Sequence, residues 1–380
     1  REGTALEPSY RYPGFRSAIN IKGKCMKDIM LHPDPWGGIG TSCNISKMEW
    51  LHELGKHTWC DLWLRWPSKQ ETLLPQGYNL YVVSFHLEAV DLKWLWDQAK
   101  QIEAPIIVLT DCDHYDTPLP RNVTIHKFYW WHQQVELIKK WHPQPVGKQI
   151  AHQFSAICNR ITQSKLLVTT ALLELHTNSI MKLSTWKGEC AELKTGNKML
   201  DKLHNTFYSK YYGQTIDLED THTIFQNHQY YTSNPWTDVY QKCAIHFTNE
   251  SFHYSYMQDE FGHYTYPGPF ITEKTLKCLV GATGFIPVGQ FDTYNALTSV
   301  GFKFDYDFNT DFDQDHGNIS RLESMINLIT ELSTWSAHDL FKATEESSNY
   351  NQYHIYSNKF FDTCVVHNLN TVNKILDNNQ

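Results

Sequence analysis

The chain has 380 residues and a formal net charge of −8. Its length suggests two domains, and its charge argues against a protein that holds DNA by general electrostatics. Hydrophobic residues make up 41% and charged residues 19% of the sequence, so a substantial core can form and general disorder is not expected. The nine cysteines include no CxxC pair, as expected of reduced thiols in a cytoplasmic protein. The sequence shows no bilayer-length apolar run or signal peptide, so we expect a cytoplasmic location and no membrane span.

The first part of the chain alternates short apolar strands with helical patterns. The predicted strands are Trp59–Trp66, Leu80–Phe85, Ile106–Leu109 and Val123–Phe128, and the clearest helix is Asp91–Glu103. Strands and helices that alternate in this way indicate βαβ units and a parallel sheet. The stretch Pro143–Gly147 is the predicted linker. We therefore expect a first domain over residues 1–147.

The second part of the chain continues the alternation and is predicted to form a domain over residues 148–340. A strand over Phe154–Cys158 and a helix over Gln163–Leu175 open it. The capping-box pattern Ser320–Glu323 predicts the start of a later helix. The acidic run Asp305–Asp315 lacks the glycine and glutamate of a calcium loop and is interpreted as a solvated loop. Residues 341–380 form the predicted C-terminal helical segment.

The stretch Pro267–Phe304 is the most informative part of the sequence. Thr272 is a good helix N-cap, Gly281 suits a left-handed helix end, and Phe285–Val288 is an apolar strand before a helix over Asp292–Ser299. Glu273 and Lys274 fall in the first helical turn, where N–H groups and the helix dipole attract phosphate. A lysine there can meet a diphosphate, and a carboxylate can accept two ribose hydroxyls. Glu273 and Lys277 also have the i, i+4 spacing of an ordinary solvated pair.

Three segments resemble, in the same order, the donor-binding region of fucosyltransferases and related bacterial and phage glycosyltransferases of the GT-B fold. The central segment is ITEKTLKCLVGATGFIPVG over residues 271–289, which is similar to the TEK motif of that group. Upstream, FSAICNR over 154–160 resembles a strand that leads into a phosphate-binding arginine. Between these two lies AIHFTNES over 244–251, which resembles a buried strand that delivers a Glu/Asn/Ser cluster. Here the order is Asn-Glu-Ser, whereas fucosyltransferases usually show Glu-Asn-Ser.

The resemblance implies an α/β protein with two Rossmann-like domains facing a cleft and a C-terminal helix that crosses back onto the first domain. It implies an inverting transfer in which a nucleoside diphosphate sugar is the donor substrate and neither a metal nor another cofactor is needed. The acceptor implied by the resemblance is either a glycan or a hydroxymethylated base of phage DNA, and the net charge favours the glycan. The implied donor-binding residues are Asn159, Arg160, Asn249, Glu250, Ser251, Thr272, Glu273, Lys274 and Lys277.

Glu88 and Asp111 are the candidates for the catalytic base, because each follows a predicted strand at its carboxyl end. An inverting transfer needs such a group beside the acceptor hydroxyl. Glu88 is preferred because a helix follows it closely and because it resembles the glutamate base of fucosyltransferases, although a helix-capping role explains it equally well. Asp111 and Asp113 form a DxD pair, which offers the alternative of a metal-dependent GT-A enzyme. A non-catalytic nucleotide- or glycan-binding module is the third alternative.

Overall fold

Two sheets, both built mainly of parallel strands, organise the part of the chain that the structure describes. The structure is a computed structural model. It describes residues 62–65, 80–85, 92–110, 119–129, 131, 135, 147–158, 162–183, 195–214, 216–218, 235–250, 256–259, 262–265 and 268–378. No helix within these ranges is long and apolar enough to cross a membrane.

The elements follow one another in mixed α/β order. The strands are β1 (Leu62–Arg65), β2 (Leu80–Phe85), β3 (Ile106–Thr110), β4 (Val123–Lys127), β5 (His152–Cys158), β6 (Ser179–Leu183), β7 (Ile216–Leu218), β8 (Cys243–Asn249), β9 (Tyr256–Asp259), β10 (Gly262–Thr265) and β11 (Gly284–Val288). The helices are α1 (Leu92–Ala99), α2 (Gln163–Glu174), α3 (Lys198–Lys210), α4 (Pro235–Lys242), α5 (Glu273–Val280), α6 (Thr293–Thr298), α7 (Asn318–Leu332), α8 (Ala337–Tyr356) and α9 (Asn358–Asn378). A 3-10 turn covers Asp311–Gln314.

The first sheet has the order β1-β2-β3-β4, and all its strands are parallel. Every residue of β3 is buried, as expected for a continuous apolar run in a parallel sheet that is covered on both faces. The predicted parallel sheet in this half of the chain is confirmed.

The second sheet has the order β11-β8-β5-β6-β7, in which only β7 runs antiparallel to its neighbour. The chain passes outward from β5 to β6 and later returns to β8 on the other side of β5. The strand order therefore reverses between β5 and β8. In open α/β sheets this reversal opens a crevice at the carboxyl ends of the two strands.

The central unit α5–β11–α6 forms as the sequence predicts. Thr272 caps α5 and accepts a hydrogen bond from the Lys274 N–H at 3.4 Å. The predicted apolar face of α5, the strand β11 and the predicted core residues of α6 are buried, namely Leu276, Leu279, Val280, Phe285, Ile286, Val288, Tyr294 and Leu297. Because α5 leads directly into the parallel strand β11, the N-terminus of α5 lies at the carboxyl edge of the sheet.

The end of α5 differs from the prediction that Gly281 takes the left-handed conformation. Gly281 has φ −79°, and Ala282 is the left-handed residue with φ 48°. The N–H of Thr283 donates to the Cys278 oxygen at 2.9 Å and that of Ala282 to the Leu279 oxygen at 3.3 Å, as in a Schellman motif. A Cβ on Gly281 would lie 2.8 Å from the Cβ of Tyr240. Close packing against α4, and not backbone freedom, therefore requires this glycine.

We expect opposite effects from substitutions at these two neighbouring positions. Gly281→Ala should lower the free energy of unfolding by about 1–3 kcal/mol, because the new methyl group overpacks against Tyr240. Ala282→Gly should leave it unchanged or raise it by up to about 1 kcal/mol, because glycine takes the left-handed region without a Cβ clash. Urea unfolding of both variants measures the contrast. A glycine at position 282 that costs as much as the alanine at 281 would contradict this explanation.

The acidic run Asp305–Asp315 is a solvated loop only in part. Asp305, Asp307 and Asp311 are exposed, as predicted, whereas Asp313 is 2% exposed. Asp313 Oδ2 accepts from the Tyr294 N–H at 2.8 Å and so caps α6. Burial raises the pKa of Asp313 to about 7, although hydrogen bonds from the α6 N-terminus act against this rise.

The start of α7 was not predicted correctly. The prediction that Ser320 begins α7 is wrong, because the helix starts at Asn318 after the N-cap Gly317 and the Ser320 hydroxyl donates to the Gly317 oxygen. The capping box of this region belongs to α8, where Ser336 and Asp339 bond reciprocally. The predicted apolar face of α7 is nevertheless buried, at Leu322, Met325, Ile326, Ile329 and Leu332.

The C-terminal helix α9 contacts the end of β4 in the first sheet. The side-chain amide of Asn368 accepts from the Tyr129 N–H and donates to the Tyr129 oxygen, each at 2.8 Å. The ring of His367 lies 4.8 Å from that of Tyr129. The Tyr129 hydroxyl also lies 3.3 Å from that of Ser299, just after α6. Tyr129 is thus a common contact of β4, α9 and the C-terminal end of α6.

Lys148 fastens the chain where it enters the second sheet. Its Nζ donates to the backbone oxygen of Tyr240 and, at 2.6 Å, to the hydroxyl of Thr283. Burial, which the neighbouring Cys278 and Cys243 offset only in part, lowers the pKa of Lys148 to about 7. The lysine therefore joins the start of β5 to the end of α4 and to the turn before β11.

This depressed pKa predicts a stability that rises with pH. Between about pH 7 and 10 the unfolded chain holds a proton on Lys148 that the folded chain lacks, which adds up to about 1.4 kcal/mol of stability per pH unit. We expect Lys148→Met to remove this contribution, and Lys100→Met, at an exposed lysine paired with Asp97, to retain it. Urea unfolding at pH 7, 8 and 9 measures the slope. Equal slopes in the wild-type protein and in Lys148→Met would show that the prediction is wrong.

Candidate functional site

The ends of β5 and β8 and the start of α5 meet at the carboxyl edge of the second sheet. The side-chain amide of Asn249, the last residue of β8, donates to the Ile157 oxygen of β5 at 3.1 Å. Glu250 follows directly and bonds to Thr272, the N-cap of α5. These contacts place the predicted residues of β8 and α5 together at the point where the strand order reverses. This is where open α/β sheets bind their ligands.

The carboxylate of Glu250 lies at the N-terminus of α5. Its Oε1 accepts from the Thr272 N–H at 3.2 Å and from the Thr275 hydroxyl at 2.7 Å, and its Oε2 accepts from the Thr272 hydroxyl at 2.6 Å. Glu250 is 2% exposed. Because the first N–H groups of a helix lack intrahelical partners and carry partial positive charge, this position suits a carboxylate. Glu250 therefore caps α5 from the neighbouring strand.

Lys274 and Glu273 form the more accessible side of the candidate site. The Lys274 Nζ lies 3.1 Å from the Thr272 hydroxyl, 3.5 Å from Glu273 Oε1 and 3.8 Å from Glu250 Oε2. Burial disfavours the charge of Lys274, but Glu273 and Glu250 outweigh it and raise its pKa above the usual value. Burial likewise disfavours the charge of Glu273, but Lys274 and Lys277 hold its pKa below the usual value. Both residues are therefore charged at neutral pH.

Lys277 lies inside the protein. It is 7% exposed, so the alternative of a solvated surface pair with Glu273 does not hold. Burial lowers the pKa of Lys277 to about 8, and Glu273 limits the fall. Burial, together with the charge of Lys277, lowers the pKa of the nearby His246 to about 3. Lys277 is consequently a buried titratable group in the second turn of α5.

Asn249 carries a buried acceptor without a donor. Because its Nδ2 donates to the Ile157 oxygen, the orientation of the amide is fixed. Its Oδ1 is buried, and no donor reaches it in the part of the chain that the structure describes. A buried polar atom without a partner costs about 1–3 kcal/mol, so such atoms are uncommon in native structures. A ligand that presents a hydroxyl or N–H group at this place would remove that cost.

Several residues of the site escaped the sequence analysis. Thr275 bonds Glu250, and Gln290, two residues after β11, accepts from the Phe270 N–H at 2.8 Å and holds the segment before α5. Beneath the site, the hydroxyl of Ser155 lies 2.6 Å from Nδ1 of the buried His246. Sequence spacing carries no signal for these contacts, because each joins residues that are 20 or more positions apart.

The remaining predicted residues lie outside the described ranges. These are Asn159, Arg160 and Ser251 of the donor site, the candidate bases Glu88 and Asp111, and Asp113 of the DxD pair. Across the described residues, no group of three or more His, Cys, Asp or Glu side chains is arranged to hold a metal ion.

Comparisons of the chain with models of protein families, with curated proteins and with solved structures found no match. A fold alone does not determine an activity, which has to be argued from the chemistry of a site. The fold is a mixed α/β arrangement with parallel sheets. The site at the reversal of the second sheet combines a helix N-terminus, a lysine, two carboxylates and an unsatisfied amide.

Proposed function

We propose that the chain is a glycosyltransferase of the GT-B type, which moves a sugar from a nucleoside diphosphate sugar to an acceptor hydroxyl. One observation carries this proposal. The first turn of α5, with Glu273 and Lys274, lies beside the ends of β5 and β8, where the strand order reverses. Mononucleotide-binding α/β domains bind the phosphates of their ligands at such places.

The donor would be bound mainly through its diphosphate. Lys274 supplies a charged donor that keeps some exposure, and Arg160, two residues beyond β5 in the sequence, is the second cation of the proposal. Glu273, 20% exposed at its side chain, is suited to accept the ribose hydroxyls. The free Oδ1 of Asn249 can accept a hydrogen bond from a further hydroxyl or N–H group of the donor. The ammonium of Lys274 is shared by two carboxylates, and the diphosphate would compete with them for it.

The reaction would be a direct displacement. The acceptor oxygen attacks the anomeric carbon, the bond from that carbon to the diphosphate oxygen breaks, and a base takes the acceptor proton. Glu88 is the proposed base and Asp111 the alternative. Lys274 and Arg160 would stabilise the charge that develops on the leaving phosphates. Since cations of the chain do this in the proposal, a divalent metal is not required.

The contact between α9 and β4 supports the two-domain part of the proposal. The GT-B arrangement needs a C-terminal helix that returns to the first domain, and Asn368 and His367 of α9 bond the Tyr129 backbone and the Lys127 oxygen at the end of β4. In the proposal the N-terminal domain binds the acceptor, which is a glycan or a modified base of DNA. The net charge of −8 favours the glycan.

Loss of either proposed phosphate contact should weaken donor binding. A thermal-shift panel of UDP-, GDP-, CMP- and dTDP-sugars identifies the nucleotide, because a ligand at a hundred times its Kd adds about 2.7 kcal/mol of stability. We expect Arg160→Ala and Lys274→Ala each to weaken that nucleotide by roughly 1.5–3 kcal/mol in calorimetry. Glu273→Ala should weaken the nucleoside more than pyrophosphate.

The matched control for these variants is Lys342→Ala. It removes a lysine of α8 that is exposed and pairs with Glu345 at 2.6 Å, and it should leave nucleotide affinity unchanged. Wild-type affinity in both Arg160→Ala and Lys274→Ala would exclude the proposed site. Donor binding without transfer or donor hydrolysis would favour the non-catalytic module.

The catalytic base is tested by Glu88→Gln, which keeps the shape of the side chain and removes its basicity. We expect turnover to fall by about 10²–10⁴ with donor affinity intact, and Asp111→Asn and Asp113→Asn to leave donor affinity unchanged. Turnover is also expected to survive EDTA. Full activity of Glu88→Gln would transfer the role to Asp111, and activity abolished by EDTA and restored by Mn²⁺ would support the GT-A alternative.

A further inference from the structure

We infer that Glu250 is a positioning residue of the proposed donor site, one that holds the first turn of α5 against β8 and weakens the attraction of Lys274 for a phosphate, without touching the donor. The inference rests on the proposed function. The resemblance implies that Glu250 binds the nucleotide, whereas here Glu250 positions the residues that bind it. The claim that Glu250 holds α5 against β8 can be tested without any ligand.

The hydrogen bonds of Glu250 are directed into the protein. Three donors of one helical turn, the Thr272 N–H and the hydroxyls of Thr272 and Thr275, lie 2.6–3.2 Å from its two oxygens. The side chain of Glu250 is 1% exposed. A ribose hydroxyl would have to break these bonds and open the start of α5 before it reached this carboxylate.

The backbone of Glu250 is held as firmly as its side chain. Its N–H donates to the Val288 oxygen of β11 at 3.2 Å and to the Thr248 oxygen at 2.8 Å. The carboxylate is therefore attached to the sheet on one side and to α5 on the other. Any displacement of the first turn of α5, and with it of Glu273 and Lys274, has to break bonds to this buried charge.

Glu250 also sets how strongly Lys274 attracts an anion. The ammonium of Lys274 lies between Glu250 Oε2 at 3.8 Å and Glu273 Oε1 at 3.5 Å. Two carboxylates beside one ammonium compete with an incoming phosphate. Removing the charge of Glu250 while keeping its shape should therefore strengthen phosphate binding, whereas removing the whole side chain should release the turn and weaken it.

The test compares Glu250→Gln, Glu250→Ala and Thr275→Val, with Glu345→Gln in α8 as the control for loss of a half-buried, lysine-paired glutamate charge. In Glu250→Gln the amide oxygen can still accept from the Thr272 N–H and the Thr275 hydroxyl. We expect pyrophosphate to bind about two- to tenfold more tightly, with the affinity for the uncharged nucleoside unchanged. Glu250→Ala should bind pyrophosphate at least about tenfold more weakly, and Glu345→Gln should bind both as the wild type does.

Hydrogen exchange tests the positioning role of Glu250 without a ligand. We expect the amides of the first turn of α5 to exchange about tenfold faster in Glu250→Ala and measurably faster in Thr275→Val, and at the wild-type rate in Glu250→Gln and Glu345→Gln. Thr275→Val serves this purpose if Glu250→Ala does not fold. Unchanged exchange in both Glu250→Ala and Thr275→Val would overturn the positioning role.

The binding measurements can also contradict the inference. If Glu250→Gln weakens the nucleoside as much as Glu250→Ala does and leaves pyrophosphate unchanged, then Glu250 touches the ribose and the inference is wrong. If the wild-type protein binds neither pyrophosphate nor any nucleotide, the proposed function fails. Hydrogen exchange then still decides whether Glu250 positions α5, so the two failures are distinguishable.

Discussion

A buried carboxylate at the reversal of the second sheet is the constraint on which the candidate site depends. A charge taken out of water is tolerated only where hydrogen bonds and opposite charges replace the lost solvent. For Glu250 these come from the first turn of α5 and from Lys274. The end of β8 and the start of α5 therefore cannot separate without leaving this charge unsatisfied. The accessible charges of the site are held at the crevice as a consequence.

Local patterns made part of the second sheet predictable. Apolar runs gave the strands β5 and β11, and the hydroxyl of Thr272 followed by an apolar helical face gave α5. The end of that helix was predicted wrongly, because Gly281 is required by Tyr240 of another helix and Ala282 takes the left-handed conformation instead. Ser320 failed for a local reason, since α7 already starts at Asn318 after the N-cap Gly317. A contact between distant segments cannot be read from the spacing within one of them.

The candidate site was predictable as a group of residues but not in its internal contacts. The resemblance brought Asn249, Glu250, Thr272, Glu273 and Lys274 together, and the structure places them around one helix N-terminus. The sequence could not show that Glu250 faces Thr275 or that Lys277 is buried, because both facts depend on how α5 lies against β8. The sequence of a motif does not distinguish a charged residue that faces a ligand from one that is buried. Tertiary packing decides which of them face a ligand and which hold the helix.

The bond between Tyr129 and Asn368 has a consequence for the order in which the molecule can be completed. The two residues are 239 positions apart, and the amide of Asn368 supplies both the donor and the acceptor for the Tyr129 backbone. A ribosome delivers Tyr129 long before it delivers its partner. The end of β4 therefore leaves the ribosome without these hydrogen bonds, and contacts of such large sequence separation form slowly. The first sheet would reach its final state only after the second sheet and α9 have been synthesised.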